Sequence, residues 1–225
     1  MSDEDRPHLV FSDVDETLIT LKSMSDFPRY QLVRRRGTAG QEESERLMGL
    51  ARRRAAHGVP RADTHGFHHS HYADESAAAI TQPAGERFAA PSACARGFFT
   101  HPARRALAGH RAAGATLVPV SGSFPPLLHP PAREAGAGAI LCTRRLTTQG
   151  HCTGEAAPPV TGEDEHAAVQ RQPAARPEAD PRDCYACGPR PADPPMPRLA
   201  GHPVTVGDAA GLREHLPAQT ASVRI

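Results

Sequence analysis

The first sustained apolar run, His8-Leu9-Val10-Phe11-Ser12, ends in an acidic cluster and predicts a buried strand. From about residue 23 to residue 90 strand signals are few. In 41–51 the apolar positions Leu47, Leu50 and Ala51 recur at helical spacing, so this stretch predicts a small helical module. The pattern changes around Phe98. Residues 101–114 predict an amphipathic helix with Pro102 near its first turn, where proline is tolerated. Residues 115–120 predict a buried strand running straight into Ser121-Gly122-Ser123. A helix over 125–135 and a strand over 139–143 follow. The pattern then predicts a helix over 162–171, a strand over 183–187, a short helical piece near Met196, a strand over 203–206 and a last helix from Asp208. Residues 172–182, rich in Pro, Ala and charge, predict a surface loop, and no internal repeat is present.

Strands alternating with helices predict an α/β fold: a parallel sheet covered on both faces, with the helical module inserted after the first strand. The length of 225 residues suits one large domain or a core with a smaller appendage. A hydrophobic fraction of 39% with 23% charged residues argues against wholesale disorder. A net charge of +1 argues against a dedicated nucleic-acid binder, so no nucleic-acid partner is expected. No apolar run approaches the roughly 18 residues of a membrane span. The opening MSDEDRPH is acidic and lacks an apolar centre, so no signal peptide and a cytoplasmic location are the expectations. The five cysteines are odd in number and scattered, which disfavours a disulfide framework. Cys184-Tyr-Ala-Cys187 stands alone as a CxxC and reads as apolar residues of a buried strand, with zinc the alternative. The chain has one lysine, Lys22, which restricts where a catalytic lysine can be.

The most informative segment is Phe11-Ser-Asp13-Val-Asp15-Glu-Thr17-Leu18. Asp13 and Asp15 fall at the carboxyl end of a strand, where open α/β sheets place their ligand crevice. Two carboxylates converging there repel unless a cation lies between them, and a hard divalent ion such as Mg²⁺ suits an all-oxygen site. One carboxylate can attack phosphorus while its neighbour protonates the leaving group. The same residues also fit an acidic loop capping the next helix.

The segment LVFSDVDETL resembles the first motif of the haloacid dehalogenase (HAD) superfamily, the aspartate-nucleophile phosphatases. The order of parts is similar to the subclass with a helical cap after the first strand, which includes phosphoserine phosphatases. Val118-Pro-Val-Ser121-Gly122-Ser123 resembles the second motif, and 184–196 resembles the fourth. Gly201-His-Pro-Val-Thr-Val206 resembles the closing strand. The resemblance implies a Rossmann-like core over 1–22 and 96–225 with a helical cap over 23–95. It implies a Mg²⁺-dependent phosphomonoester hydrolase acting on a small phosphorylated metabolite. Asp13 would be the nucleophile and Asp15 the acid and base. Thr17 would support the loop, and Ser121 with Gly122 would hold the phosphoryl group. Asp13, the backbone carbonyl of Asp15, and Asp193 would hold the metal.

Two positions depart from the family pattern. Glu165 stands where the third motif has its lysine, leaving Lys22 or an arginine such as Arg171 as the candidate cation. Pro189 stands where the fourth motif has its first acid. These departures motivate an alternative, a HAD-fold pseudoenzyme that binds a phosphorylated ligand or a protein partner without turnover. Proline also falls in unfavourable places: Pro119 inside a predicted central strand, and Pro130 with Pro131 inside a predicted helix.

Two further clusters carry open readings. His65, His68, His69 and His71, with Asp63 nearby, fit either a transition-metal site or a polar surface facing solvent or substrate. The arginine runs 34–36 and 52–54 fit a solvated face, or an attraction for a phosphorylated substrate.

Overall fold

The structure is a computed structural model describing residues 8–88, 97–158, 183–188, 202–206 and 221–223. Strand β1 (Leu9–Asp13) is the centre of a six-stranded sheet. Its parallel neighbours are β2 (Thr116–Ser121) and β6 (Tyr185–Gly188). With β3 (Leu141–Cys142), β7 (His202–Val206) and β8 (Ala221–Val223) the order is β3-β2-β1-β6-β7-β8, and every pairing is parallel. This is the parallel-sheet α/β core that the alternation of strands and helices predicts.

Strands β1, β2 and β6 are apolar on both faces. Val10, Leu117 and Cys187 belong to one buried cluster, and Leu9, Phe11, Val118, Val120, Cys184 and Ala186 to another. A sheet buried on both sides has no polar face, which is why its strands read as continuous apolar runs. Cys184 and Cys187 therefore serve opposite faces and cannot chelate one ion, and burial pushes the Cys187 thiol up to about 12. The CxxC is a piece of strand.

Pro119 is accommodated by the direction of its backbone. Gly138 N–H donates to the Leu117 carbonyl (3.0 Å), so Leu117 turns its polar groups toward the β3 side, while Thr116 N–H bonds to the His8 carbonyl on the β1 side. With a two-residue period Pro119 also faces the β3 side, away from the ladder with β1. The missing N–H thus falls where β3 pairs only from Val120 onward.

Between β1 and the second half of the sheet lie three helices: α1 (Ser23–Ala56), α2 (Arg61–Ser70) and α3 (Ala77–Phe88). Helix α1 is broken at Gly37, whose φ of 57° and ψ of −131° suit glycine. The chain doubles back there, and a side chain at Gly40 would collide with the Leu32 carbonyl. Phe27 pins this segment, fully buried against Tyr30, Tyr72 and Phe88. Arg87 of α3 donates to Asp26 of α1 at 2.9 Å. In the first arginine run every member has a carboxylate: Arg34 pairs with Glu86, Arg35 with Glu75 (2.6 Å) and Arg36 with Glu43 (2.6 Å).

Helices α4 (His101–Ala112) and α5 (Pro125–Ala135) bring Leu107, Leu127 and Leu128 to the same apolar cluster as Val10. Interior prolines Pro130 and Pro131 each remove a helical hydrogen bond in α5. The helix persists because Leu127, Leu128, Pro131 and Ala132 are buried and Gly136 ends it in a left-handed cap.

One element departs from expectation. After β3 the chain forms an antiparallel hairpin, β4 (Arg145–Thr148) with β5 (His151–Ala156). Gln149 (φ 50°) and Gly150 (φ 80°) make its two-residue turn. The strand expected over 139–143 is shorter, and β8 lies in the stretch after Asp208 for which a closing helix was expected. The expectations of helices over 162–171, near Met196 and at Asp208, and of a loop over 172–182, concern positions outside the described residues. No helix among the described residues is long and apolar enough to cross a membrane.

Candidate active site

Asp13 is the last residue of β1, and register places it opposite Val120, one residue before Ser121. Ser121 in turn pairs with Cys142 at the end of β3. Asp13, Ser121 and Gly122 therefore share the carboxyl edge of the sheet, beside the central strand, where a crevice opens in this class of fold.

A tight loop follows. The amides of Thr17, Leu18 and Ile19 all point at the Val14 carbonyl (3.3, 3.0 and 3.0 Å). Glu16, with φ of 63°, takes the left-handed conformation that the reversal requires, at a cost of about 1 kcal/mol for a side chain other than glycine. The curl returns Thr17 beneath Asp13, and Thr17 Oγ1 donates to Asp13 Oδ2 at 2.7 Å. Thr17 is fully buried, and its carbonyl accepts a hydrogen bond from Thr100 Oγ1. One carboxylate oxygen of Asp13 is thus fixed from behind.

Asp15 sits differently. Its Oδ2 accepts from Ser23 Oγ (3.0 Å), at the first turn of α1, and Ser23 Oγ lies 2.8 Å from Ser123 Oγ. A hydroxyl has one proton to give, so when Ser23 donates to the carboxylate, Ser123 donates to Ser23. Oδ1 of Asp15 is buried with no hydrogen-bond partner. Burial raises the Asp15 pKa to about 6, against the opposing pull of the Ser23 amide and hydroxyl; Glu16 adds to the rise and Lys22 subtracts from it. The two acids therefore have separate environments: one is oriented by a threonine, and the other has its pKa raised to about 6 by burial.

Ser121 is buried, and its Oγ accepts the Ser123 amide at 3.1 Å, which bends the loop carrying Gly122. Lys22 immediately precedes Ser23 and pairs with Glu16 at 3.4 Å on the exposed rim. Asp193, Glu165, Pro189 and Arg171 lie outside the described residues. Ser23, Ser123 and Thr100 are contacts that sequence reasoning missed. Ser23 and Ser123 meet from positions 100 residues apart, and no local pattern signals such a pair.

The histidine cluster does not close around an ion: among the described residues no three His, Cys, Asp or Glu side chains come together as metal ligands. Of the four, only His69 is fully buried, and His65, His68 and His71 are half-buried. His65 and His69 rings lie 4.8 Å apart, and burial lowers His69 to about 3 and His68 to about 4. A base whose folded pKa is depressed stabilises the fold fully above its unfolded value. That stability is lost as pH falls from 6.5 toward 3. Asp15 acts in the opposite sense below pH 6, by a smaller shift. The expected result is a loss of about 3–5 kcal/mol over that window attributable to His69. Urea unfolding of His69→Leu against wild type checks it, and an identical pH dependence in the two would refute it.

An α/β sheet with an acid pair at the carboxyl end of its central strand, and a Ser-Gly turn beside it, defines a class of hydrolases. Residues 10–198 match the haloacid dehalogenase-like hydrolase family, and the chain belongs to it. A probable phosphatase of Mycobacterium tuberculosis is 35% identical over 119 residues, which is 52% of this chain and 39% of that protein. The aligned stretch thus spans about two fifths of that relative's length. A solved Bordetella pertussis protein of unknown function is 20% identical with a TM-score of 0.79, covering 97% of this chain and 98% of that one. A phospho-aspartyl intermediate analogue of phosphoserine phosphatase is 17% identical with a TM-score of 0.65, covering 97% and 93%. These likenesses show that the chain shares its fold with both structures.

Proposed function

We propose that the protein is a phosphomonoester hydrolase that works through an aspartyl-phosphate on Asp13. The observation that carries this reading is the divided environment of the acid pair. Thr17 orients Asp13, and burial leaves Asp15 with an affinity for a proton. In the first step an Asp13 oxygen bonds to phosphorus as the phosphorus–oxygen bond to the leaving group breaks, and Asp15 gives its proton to the departing oxygen. In the second step Asp15 takes a proton from water, the hydroxyl bonds to phosphorus, and Asp13 is released with free phosphate. Ser121 and the amide of Gly122 bind the phosphoryl oxygens. Ser23 and Ser123 hold Asp15 in place.

The donor set at the mouth of β1, a carboxylate of Asp13 and the carbonyl of Asp15, is all oxygen and fits Mg²⁺. Asp193 is the third proposed ligand. When bound, the ion neutralises charge on the phosphoryl oxygens. The helices between β1 and α4 act as the cap that selects a small phosphorylated metabolite, with the core at 1–22 and 96–225 and the cap at 23–95. The placement of the protein in the cytoplasm is part of the same reading.

Glu165 and Pro189 favour the second reading, a pseudoenzyme that binds without turnover. Phosphate release from a panel of alkyl and aryl phosphomonoesters, with Mg²⁺ and with EDTA, separates the two. Release that needs Mg²⁺ is the expected result. An inert protein across the panel, with phosphate still binding, favours the second.

A further inference from the structure

His69 on α2 has no exposed surface, and neither ring nitrogen has a hydrogen-bond partner. Tyr72, in the turn after α2, is 3% exposed, and its Oη is also buried without a partner. Both rings pack on Phe124, at 5.9 and 5.7 Å between centroids. Over the same ring lies Arg145, its Cζ 3.7 Å from the Phe124 centroid and 4.6 Å from that of Tyr72. Arg145 Nη1 is buried without a hydrogen-bond partner. Buried polar groups are satisfied in nearly all native proteins, and each orphan costs about 1–3 kcal/mol. Here three such groups gather around one aromatic ring.

The location is as telling as the chemistry. Phe124 precedes the first turn of α5 and follows Ser123. Arg145 opens β4, three residues beyond the end of β3, hence at the carboxyl edge of the sheet. His69 and Tyr72 come from the helical segment that leaves the same edge after Asp13. The cluster therefore joins the helical segment to the core beside the candidate active site.

Its charge specifies the occupant. Burial keeps His69 neutral and holds the Tyr72 phenol protonated. Glu75, the acid that Arg145 senses, is already held by Arg35 (2.6 Å) and Gln31 (3.1 Å). That leaves one positive charge with an unpartnered Nη1–H on the half-buried Arg145, an imidazole N–H and a phenol O–H. A planar monoanion with two oxygens matches this set, whereas a phosphate dianion exceeds its charge. We propose that Arg145, His69 and Tyr72 form a second ligand site, for a carboxylate, where the helical segment meets the sheet edge. The site stands apart from the phosphatase reading, because binding alone tests it.

The test is a titration of the full-length ¹⁵N-labelled protein with sodium acetate against sodium chloride at equal ionic strength. Imidazole ¹⁵N shifts are read, with His69 assigned by comparison with His69→Phe. The expected result is a saturable shift at His69 with acetate alone and a rise of a few degrees in Tm. Both vanish in Arg145→Gln, whose fold is checked by circular dichroism. If that variant does not fold, the wild-type titration still decides. A His69 resonance that ignores acetate, or moves equally with chloride, means water fills the cluster and overturns the proposal. A shift reached at lower concentration with inorganic phosphate than with acetate overturns the assignment to a carboxylate.

Discussion

Asp13→Asn abolishes phosphate release, lowering turnover with Mg²⁺ by at least about 10³-fold, the scale on which loss of a covalent nucleophile is felt. The substitution keeps the size of the side chain and one carbonyl oxygen, so Thr17 Oγ1, 2.7 Å from Asp13 Oδ2, retains an acceptor. The fold is therefore preserved, and the loss reports chemistry. The amide has no anionic oxygen to bond to phosphorus, and it also weakens the proposed metal site. A coupled assay for inorganic phosphate, with circular dichroism to show the fold intact, makes the measurement. Turnover within tenfold of wild type would remove Asp13 from the chemistry.

Asp15→Asn separates the two roles proposed for the second acid. An alkyl leaving group departs as a strongly basic alkoxide unless it is protonated, so its release is expected to slow by about 10²–10⁴-fold. An aryl leaving group such as p-nitrophenolate is stable without a proton, so its first step is little affected. The second step still lacks its base, and the acyl phosphate persists. With p-nitrophenyl phosphate the variant should give one burst of nitrophenol followed by slow turnover. The variant also loses the buried charge at Asp15, whose Oδ1 has no hydrogen-bond partner, so its fold is expected to be at least as stable as wild type at neutral pH. Stopped-flow absorbance with both substrate types reads the outcome. Equal slowing of the first, leaving-group step with alkyl and aryl substrates would contradict the assignment of a general acid.

What the sequence reveals and what it hides follow the range of the interactions. The acid pair and its strand are legible because the apolar run and the carboxylates are adjacent in the chain. The order of strands and helices is legible because burial on both faces produces uninterrupted apolar runs such as 117–120. The β4–β5 hairpin is not, since only Cys152 among its residues is deeply buried and the two-residue alternation is correspondingly faint. Its one local cue was Gln149-Gly150, a turn pair between threonine-rich stretches. Pro119 shows the converse. A rule about prolines in central strands predicts a defect, but which neighbour the missing N–H would face depends on strand order, which only the fold supplies. The contacts that position the acids are of this kind too. Thr100 reaches Thr17 and Ser123 reaches Ser23 across long separations in sequence, with no periodicity to announce them. The histidines of α2 read as a metal site or as a polar surface facing solvent or substrate, yet His69 is fully enclosed because the helical segment folds back onto Phe124.

The central claim is that the carboxylate at the end of β1 itself becomes phosphorylated. Acid quenching during turnover with Mg²⁺, followed by proteolysis and mass spectrometry of the peptide containing Asp13, tests it directly. The account predicts one phosphoryl group on Asp13, removed by hydroxylamine. Sustained phosphate release with that peptide unmodified, or with the phosphoryl group on another residue, would contradict it.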